Sequence, residues 1–226
     1  MMDKKSIKTA VITGGSDGIG LALVKVLILQ GYNVIATSRS GEIEGLVSEN
    51  LKVLPLELGN TEEFAALTQQ ILCYTNEIDL LINNAGVALD IGSEKLGLED
   101  FNRTIEVNLT GLIFFCEQLV PFISRGGKIL NISSAMGLLS QADINGPSYR
   151  ISKAGVNMYT KILAMKLAAN SISVNAVHPG WVRTKLGGGS APLSTEESAQ
   201  AIWEFISAGT GTGRFAFADT GECMDL

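Results

Sequence analysis

Residues 8–38 read KTAVITGGSDGIGLALVKVLILQGYNVIATS. The first six, KTAVIT, are short, apolar and rich in β-branched residues, which predicts a buried strand. The glycine turn Gly14-Gly15-Ser16-Asp17-Gly18-Ile19-Gly20 follows. LALVKVLILQ then predicts an apolar helix stopped by Gly31. Asn33 to Ser38 predicts a second strand. A strand–turn–helix–strand unit of about thirty residues is the size of a βαβ crossover. Such a unit demands a parallel strand pair with a right-handed connection.

The rest of the chain repeats the alternation. Strands are expected at Leu51 to Leu56, Asp79 to Ile82, Lys128 to Ile132, Ser173 to Val177 and Phe215 to Ala218. Thr61 is read as the cap of a helix with Glu62 and Glu63 in its first turn. Further helices are expected at about 108–123, 149–169 and 195–207. There is no solenoid-period repeat and no low-complexity linker. The expectation is an α/β chain. It forms a single Rossmann-type, doubly wound sheet of about seven mainly parallel strands with helices on both faces. At 226 residues the chain suits one such domain.

Composition narrows the function. The net charge of −6 and the absence of a dense basic run argue against nucleic acid. No stretch of 18 apolar residues occurs, so no membrane span is expected. The apolar run within MMDKKSIKTAVITGG is too short for a signal peptide. The three cysteines, Cys73, Cys116 and Cys223, are scattered and read as reduced thiols, so a cytoplasmic location is expected. No His/Cys/Asp/Glu cluster has metal-ligand spacing, and no metal site is expected. Cys223 to Leu226 has the outline of a prenylation box, but Asp225 stands where an aliphatic residue belongs.

The glycine turn has the right context for a pyrophosphate site. Glycines let the backbone approach the anion, and the helix N-terminus points amide N–H groups and its positive dipole end at it. The spacing here is Gly-x-x-x-Gly-x-Gly. The end of the second strand, Thr37-Ser38-Arg39, carries no acid to meet a ribose 2′-hydroxyl. Arg39 can fork onto a 2′-phosphate. NADP(H) is therefore favoured, with NAD(H) the alternative. Asp17 is a counter-signal, because it places negative charge in the turn.

Tyr149 and Lys153 stand four apart at the start of an expected helix, on one face and one turn apart. A phenol titrates near pH ~10, and a neighbouring ammonium favours the phenolate. The pair is a sensible proton-transfer device. Taken alone, an amphipathic tyrosine and a snorkelling lysine need no function. His178 reads as a packed structural histidine beside Pro179. Ser133 and Ser134 lack a nucleophile elbow.

In order and spacing, TGGSDGIG, Asn83-Asn84-Ala85-Gly86, Asn108, Ser134, Tyr149-x-x-x-Lys153 and Pro179-Gly180 resemble the short-chain dehydrogenase/reductase superfamily. The likeness covers essentially the whole chain. HPGWVRTKLGGGSAPLSTEES and GRFAFADTGECM more narrowly resemble C-factor/sniffer-type carbonyl reductases.

The resemblance implies a role for each matching residue. Tyr149 is the acid–base and Ser134 the substrate-carbonyl serine. Lys153 binds the nicotinamide ribose and lowers the tyrosine pKa. Asn108 lies in a kinked helix whose main chain holds a water near the lysine. It also implies that Gly14, Ser16, Asp17, Gly18, Ile19, Gly20, Ser38, Arg39, Leu58, Asn84, Ala85 and Gly86 meet the cofactor, as do Tyr149, Lys153, Pro179, Gly180, Val182 and Thr184. Gly59 stands where the family usually has an aspartate facing the adenine, so only main-chain contact is expected there.

Ser134 and Tyr149 are fifteen apart, longer than the family's common spacing, and the loop 141–146 absorbs the excess. Residues 184–197, rich in Gly, Ser and Pro, read as a short substrate lid. The implied function is NADP(H)-dependent hydride transfer between the nicotinamide and a small carbonyl or alcohol substrate, by a monomer or homodimer. The alternative is a cofactor-binding regulatory or signalling protein with weak catalysis.

Overall fold

A computed structural model describes residues 7–93, 95–209 and 211–226. One sheet carries eight strands: β1 (Thr9–Ile12), β2 (Asn33–Ser38), β3 (Leu51–Pro55), β4 (Ile78–Asn83), β5 (Ile123–Ile132), β6 (Ser173–His178), β7 (Arg214–Phe217) and β8 (Cys223–Asp225). Their order across the sheet is β3-β2-β1-β4-β5-β6-β7-β8. All neighbours pair in parallel except β7 and β8. The strand order reverses at β1, which lies between β2 and β4. In an open parallel sheet, the crevice beyond the carboxyl ends of the strands at such a switch point is where ligands bind.

The period of two along each strand sorts the core. Val11, Leu81 and Ile129 face α2 (Phe64–Leu72), α4 (Leu112–Leu119) and α5 (Pro147–Leu167). Their neighbours Ile12, Ile82 and Leu130 face α1 (Gly18–Leu29) and α6 (Thr195–Ala208). Parallel strands covered on both faces read as near-continuous apolar runs, which is why β1 and β4 stand out in the sequence.

Four boundaries differ from expectation. The helix α1 begins at Gly18 rather than Leu21, because Asp17 caps it by accepting from the Gly18 amide. Thr61 caps nothing; it opens a 3-10 turn, Thr61–Glu63, that leads into α2. The helix expected from about Asn108 begins ten residues earlier. It runs as α3 (Leu98–Ile105), a π-helical turn (Glu106–Gly111) and α4. The eighth strand, absent from the expectation, pairs Phe215 with Met224 and Ala216 with Cys223. The Cys223 to Leu226 segment thus closes the sheet edge. The continuous helix Leu98–Phe122 is long and apolar enough to span a membrane by length and composition. Here it is a core helix, burying Val107, Leu112, Phe115, Cys116 and Leu119.

Phe115 is fully buried and meets Phe64 edge-on, with ring centroids 5.4 Å apart. Phe115→Ala is expected to cost about 3–5 kcal/mol, read as a lower urea midpoint at unchanged slope. A loss below about 1 kcal/mol would show that the cavity collapses and that this contact is not central.

Candidate active site

The glycine turn is held against the β4 exit by a compact set of bonds. Thr13 Oγ1 accepts from the Asn84 and Ala85 amides at 3.0 and 3.1 Å. The Asn84 side-chain amide donates to the Thr13 and Gly14 carbonyls at 2.9 and 3.1 Å. Space here is tight enough to dictate glycine. A Cβ on Gly20 would lie 2.0 Å from the Gly14 carbonyl oxygen, and Gly18 has a φ of +54°. The amide-lined turn at the α1 N-terminus is a cradle suited to a pyrophosphate.

Beside it lies a cavity of about 360 Å³. Gly14, Ser16, Asp17, Gly18, Ile19, Gly20, Ser38, Arg39, Leu58, Asn84, Ala85 and Gly86 all line it. Gly59 does not. The Arg103 guanidinium fills its place, 2.0 Å from where a Gly59 Cβ would sit. Arg103 is ion-paired with Glu57, and both side chains line the cavity. The acidic group at this end of the cleft is therefore Glu57, two residues before the expected position. Arg103 escaped the sequence reading because the helix carrying it was placed too late.

A second cavity, about 450 Å³, is lined by Ser133, Ser134, Met136, Tyr149, Lys153, Trp181 and Leu186 among others. It shares Ile19, Asn84, Gly86, Thr184 and Leu186 with the first, so the two form one cleft. Pro179, Gly180, Val182 and Thr184 line this half. Ser134 begins a 3-10 turn, and its hydroxyl accepts from the Met136 amide at 3.1 Å. Ser133 is turned to Asn157, donating at 2.6 Å.

Tyr149 is buried, and burial pushes its phenol up to about 12, with a hydrogen bond from the Ser134 hydroxyl acting the other way. The Lys153 ammonium lies 5.6 Å from the Tyr149 ring centroid and donates to the Ile132 carbonyl at 2.8 Å. Burial pushes Lys153 down to about 8. The expected lowering of the tyrosine pKa by the lysine does not emerge: burial dominates, and it raises the phenol.

Asn108 is fully buried in the π-helical turn. Its side chain pairs with both main-chain groups of Val87 at 2.7 Å and donates to Ser152 Oγ at 3.1 Å. Asn108, Lys153 and Gly86 converge: a Cβ on Gly86 would lie 3.2 Å from Asn108 Oδ1 and 3.6 Å from Lys153 Nζ.

Asp17 does not stand as a bare negative charge in the phosphate cradle. Its carboxylate meets Lys185 Nζ at 2.5 Å, and that bond holds its pKa below the usual value. The 184–197 segment is closed at its base by a Val182–Leu193 bridge. Just before it, the Trp181 indole donates to the Gly187 carbonyl of the segment at 2.8 Å. His178 lines the second cavity, packs edge-on against Phe217 and is held neutral by burial. Another tyrosine, Tyr159, donates to Glu117 at 3.1 Å but lines neither cavity. No group of three or more potential metal ligands occurs among the described residues.

The fold and cleft agree with what known proteins show. Residues 8–192 match the short chain dehydrogenase family. The chain belongs to that family and is an oxidoreductase of it. It is 32% identical over 190 residues to an acetoacetyl-CoA reductase of Acinetobacter sp. (strain RA3849), covering 79% of this chain and 76% of that protein. Among solved structures it is similar to the carbonyl reductase Sniffer of D. melanogaster. That match has a TM-score of 0.88 at 28% identity and covers 97% of this chain and 100% of that one. An NADPH-bound carbonyl reductase from chicken fatty liver matches with a TM-score of 0.86 at 25% identity, covering 97% and 94%.

Burial of Lys153 has a measurable signature. Between about pH 8 and its ordinary 10.5, the unfolded chain binds more protons than the folded one at this group. Stability from Lys153 therefore rises with pH across that window. Lys153→Met is expected to stabilise the cofactor-free chain by on the order of 1–3 kcal/mol at pH 7. The gap to wild type should close as pH approaches 10.5. A gap that persists there in urea midpoints would rule out the buried charge as its cause.

Proposed function

We propose that the chain is an NADP(H)-dependent carbonyl reductase or alcohol dehydrogenase acting on an uncharged, largely apolar substrate. The observation that carries this reading is one junction. Ser134 and Tyr149 both line the apolar cavity, together with Lys153, where that cavity opens into the phosphate-cradling one.

The cofactor would lie with its pyrophosphate on the glycine turn and its ribose near Tyr149 and Lys153. It supplies the hydride. Hydride transfer to a carbonyl builds negative charge on oxygen, and donors aimed at that oxygen stabilise the transition state. Ser134 donates a hydrogen bond to it, and Tyr149 delivers the proton. A phenol raised by burial is fully protonated at neutral pH, which suits it to donate in the reducing direction. Lys153 and the main chain at Asn108 help to reload it.

Substrate class follows from the lining. Among the described residues Lys153 is the one charged side chain on the apolar cavity, and its ammonium is turned to the Ile132 carbonyl. Met136, Trp181 and Leu186 supply apolar contact. The 184–197 segment serves as the lid, and the chain acts as one NAD(P)-binding domain. On assembly we infer a homodimer. The stripe Ile151, Met158, Ile162 and Met165 is exposed along one face of α5, and such a face seeks a partner.

Two experiments test the reading. Tyr149→Phe is expected to lower kcat by on the order of 10²–10⁴ while cofactor affinity stays within a few fold. It would be assayed by NADPH oxidation with diketones, quinones and aldehydes. Retained turnover defeats the assignment, and tight NADPH binding by wild type without turnover on any of these favours a regulatory role. Arg39→Ala is expected to weaken NADPH binding by about 10-fold or more, as for a lost charge-assisted bond, and to leave NADH binding unchanged. Equal losses for both cofactors would show that Arg39 does not read the 2′-phosphate.

A further inference from the structure

The start of α5 is not capped by its own sequence. Gly146, the residue before the helix, has a φ of +65° and no side chain to offer, and Pro147 has no N–H. The Arg150 amide bonds back to the Gly146 carbonyl at 3.0 Å, as a helical residue should. The Ser148 amide instead donates to Asp90 Oδ2 at 2.6 Å. Asp90 lies 58 residues away in sequence, on the loop that follows β4, and is 1% exposed. Its other oxygen, Oδ1, is buried without a partner among the described residues, as is the Ser148 hydroxyl. A carboxylate that is buried here and still bonds the helix start is an acceptor borrowed from a distant loop.

The loop carrying Asp90 is tied to the same helix at two further points. The Gly92 amide donates to Asn145 Oδ1 at 2.7 Å, just before the helix begins. At the loop's other end, Val87 is paired with Asn108, which bonds Ser152 one turn into the helix. Ser152 in turn donates to the Tyr149 carbonyl at 2.7 Å. Residues 87–92 therefore form a strap from the Asn84-Ala85-Gly86 wall of the cofactor cleft to the turn that bears Tyr149.

We infer that Asp90 is a positioning residue for Tyr149: it fixes the start of α5 relative to the cofactor cleft through the Ser148 amide. This rests on the reading of Tyr149 as the proton donor. Asp90 lines neither cavity, so its action passes through the helix. A shift of about 1 Å at a reacting group costs on the order of 10²-fold in rate.

The test compares Asp90→Ala, Asp90→Asn and Tyr149→Phe in the full chain, by kcat, KM for a carbonyl substrate and NADPH affinity from fluorescence titration. Asp90→Ala is expected to lower kcat by about 10²-fold with NADPH affinity within a few fold. Asp90→Asn keeps an acceptor for the Ser148 amide and is expected to recover most of the rate. If Asp90→Ala does not fold, Asp90→Glu, which keeps the charge but is one methylene longer, should show the same kcat-only loss in smaller degree. An unchanged kcat in the folded variant overturns the proposal, as does a loss shared equally between kcat and cofactor affinity. If Tyr149→Phe stays active, it is the reading of the site that fails. If Tyr149→Phe is inactive and Asp90→Ala is not impaired, Asp90 alone is misassigned.

Discussion

One polar seam along α5 holds the site together. Ser148, Ser152, Lys153, Asn157 and Thr160 are all buried on a helix whose other buried positions are largely apolar. Each meets a partner from outside the helix. Asp90 takes the Ser148 amide, Asn108 bonds Ser152, and the Ile132 carbonyl accepts from Lys153. Ser133 and the Gly137 carbonyl bond Asn157, while Asn131 donates to Thr160 and is itself bonded by Asn83. Apolar packing alone tolerates small slides and rotations of a helix. A row of buried hydrogen bonds does not, because each one left unmade costs about 1–3 kcal/mol. The seam fixes the rotation and height of α5, and Tyr149 inherits that precision.

Precision is obtained at the expense of stability. A buried ammonium, a buried carboxylate and a π-helical turn all sit within this region. None of them helps a chain merely to fold, since a buried polar or charged group gives up its hydration. The phenol and the ammonium are pushed in opposite directions by the same desolvation, Tyr149 up and Lys153 down. Their pKa values, nearly equal in water, are therefore driven apart, and the phenol keeps its proton, as a proton donor must.

The sequence announced the parallel sheet because fully buried strands carry β-branched runs between glycine stops. It announced Tyr149 and Lys153 because helical spacing is a local property. What it concealed was tertiary. The segment Leu98–Ile105 lacks a side-chain cap and is rich in polar residues, so nothing local marks its start. The strand Cys223–Asp225 is short and half-exposed, with no apolar alternation. Gly59 was expected at the adenine edge, yet which residue faces that space depends on where Arg103 arrives from another helix. The raised phenol of Tyr149 depends on burial, which no neighbouring residue in the chain encodes.

Electrostatics in the cofactor half of the cleft resolves an apparent conflict. A chain of net charge −6 with an aspartate in its glycine turn looks ill suited to a phosphate-rich ligand. The structure pairs each acid lining the cavity with a cation: Asp17 with Lys185 and Glu57 with Arg103. Both pairs are well exposed, so each adds little to stability. Their effect is on the field inside the cleft, where a neutralised carboxylate no longer repels an anion. Among the cations on that cavity, Arg39 has no ion-pair partner among the described residues. It stands at the end of β2, where the ribose 2′-position of a dinucleotide is read. Preference for a 2′-phosphate then requires no dense basic patch. It requires that the acids nearby are already occupied and that one arginine is not.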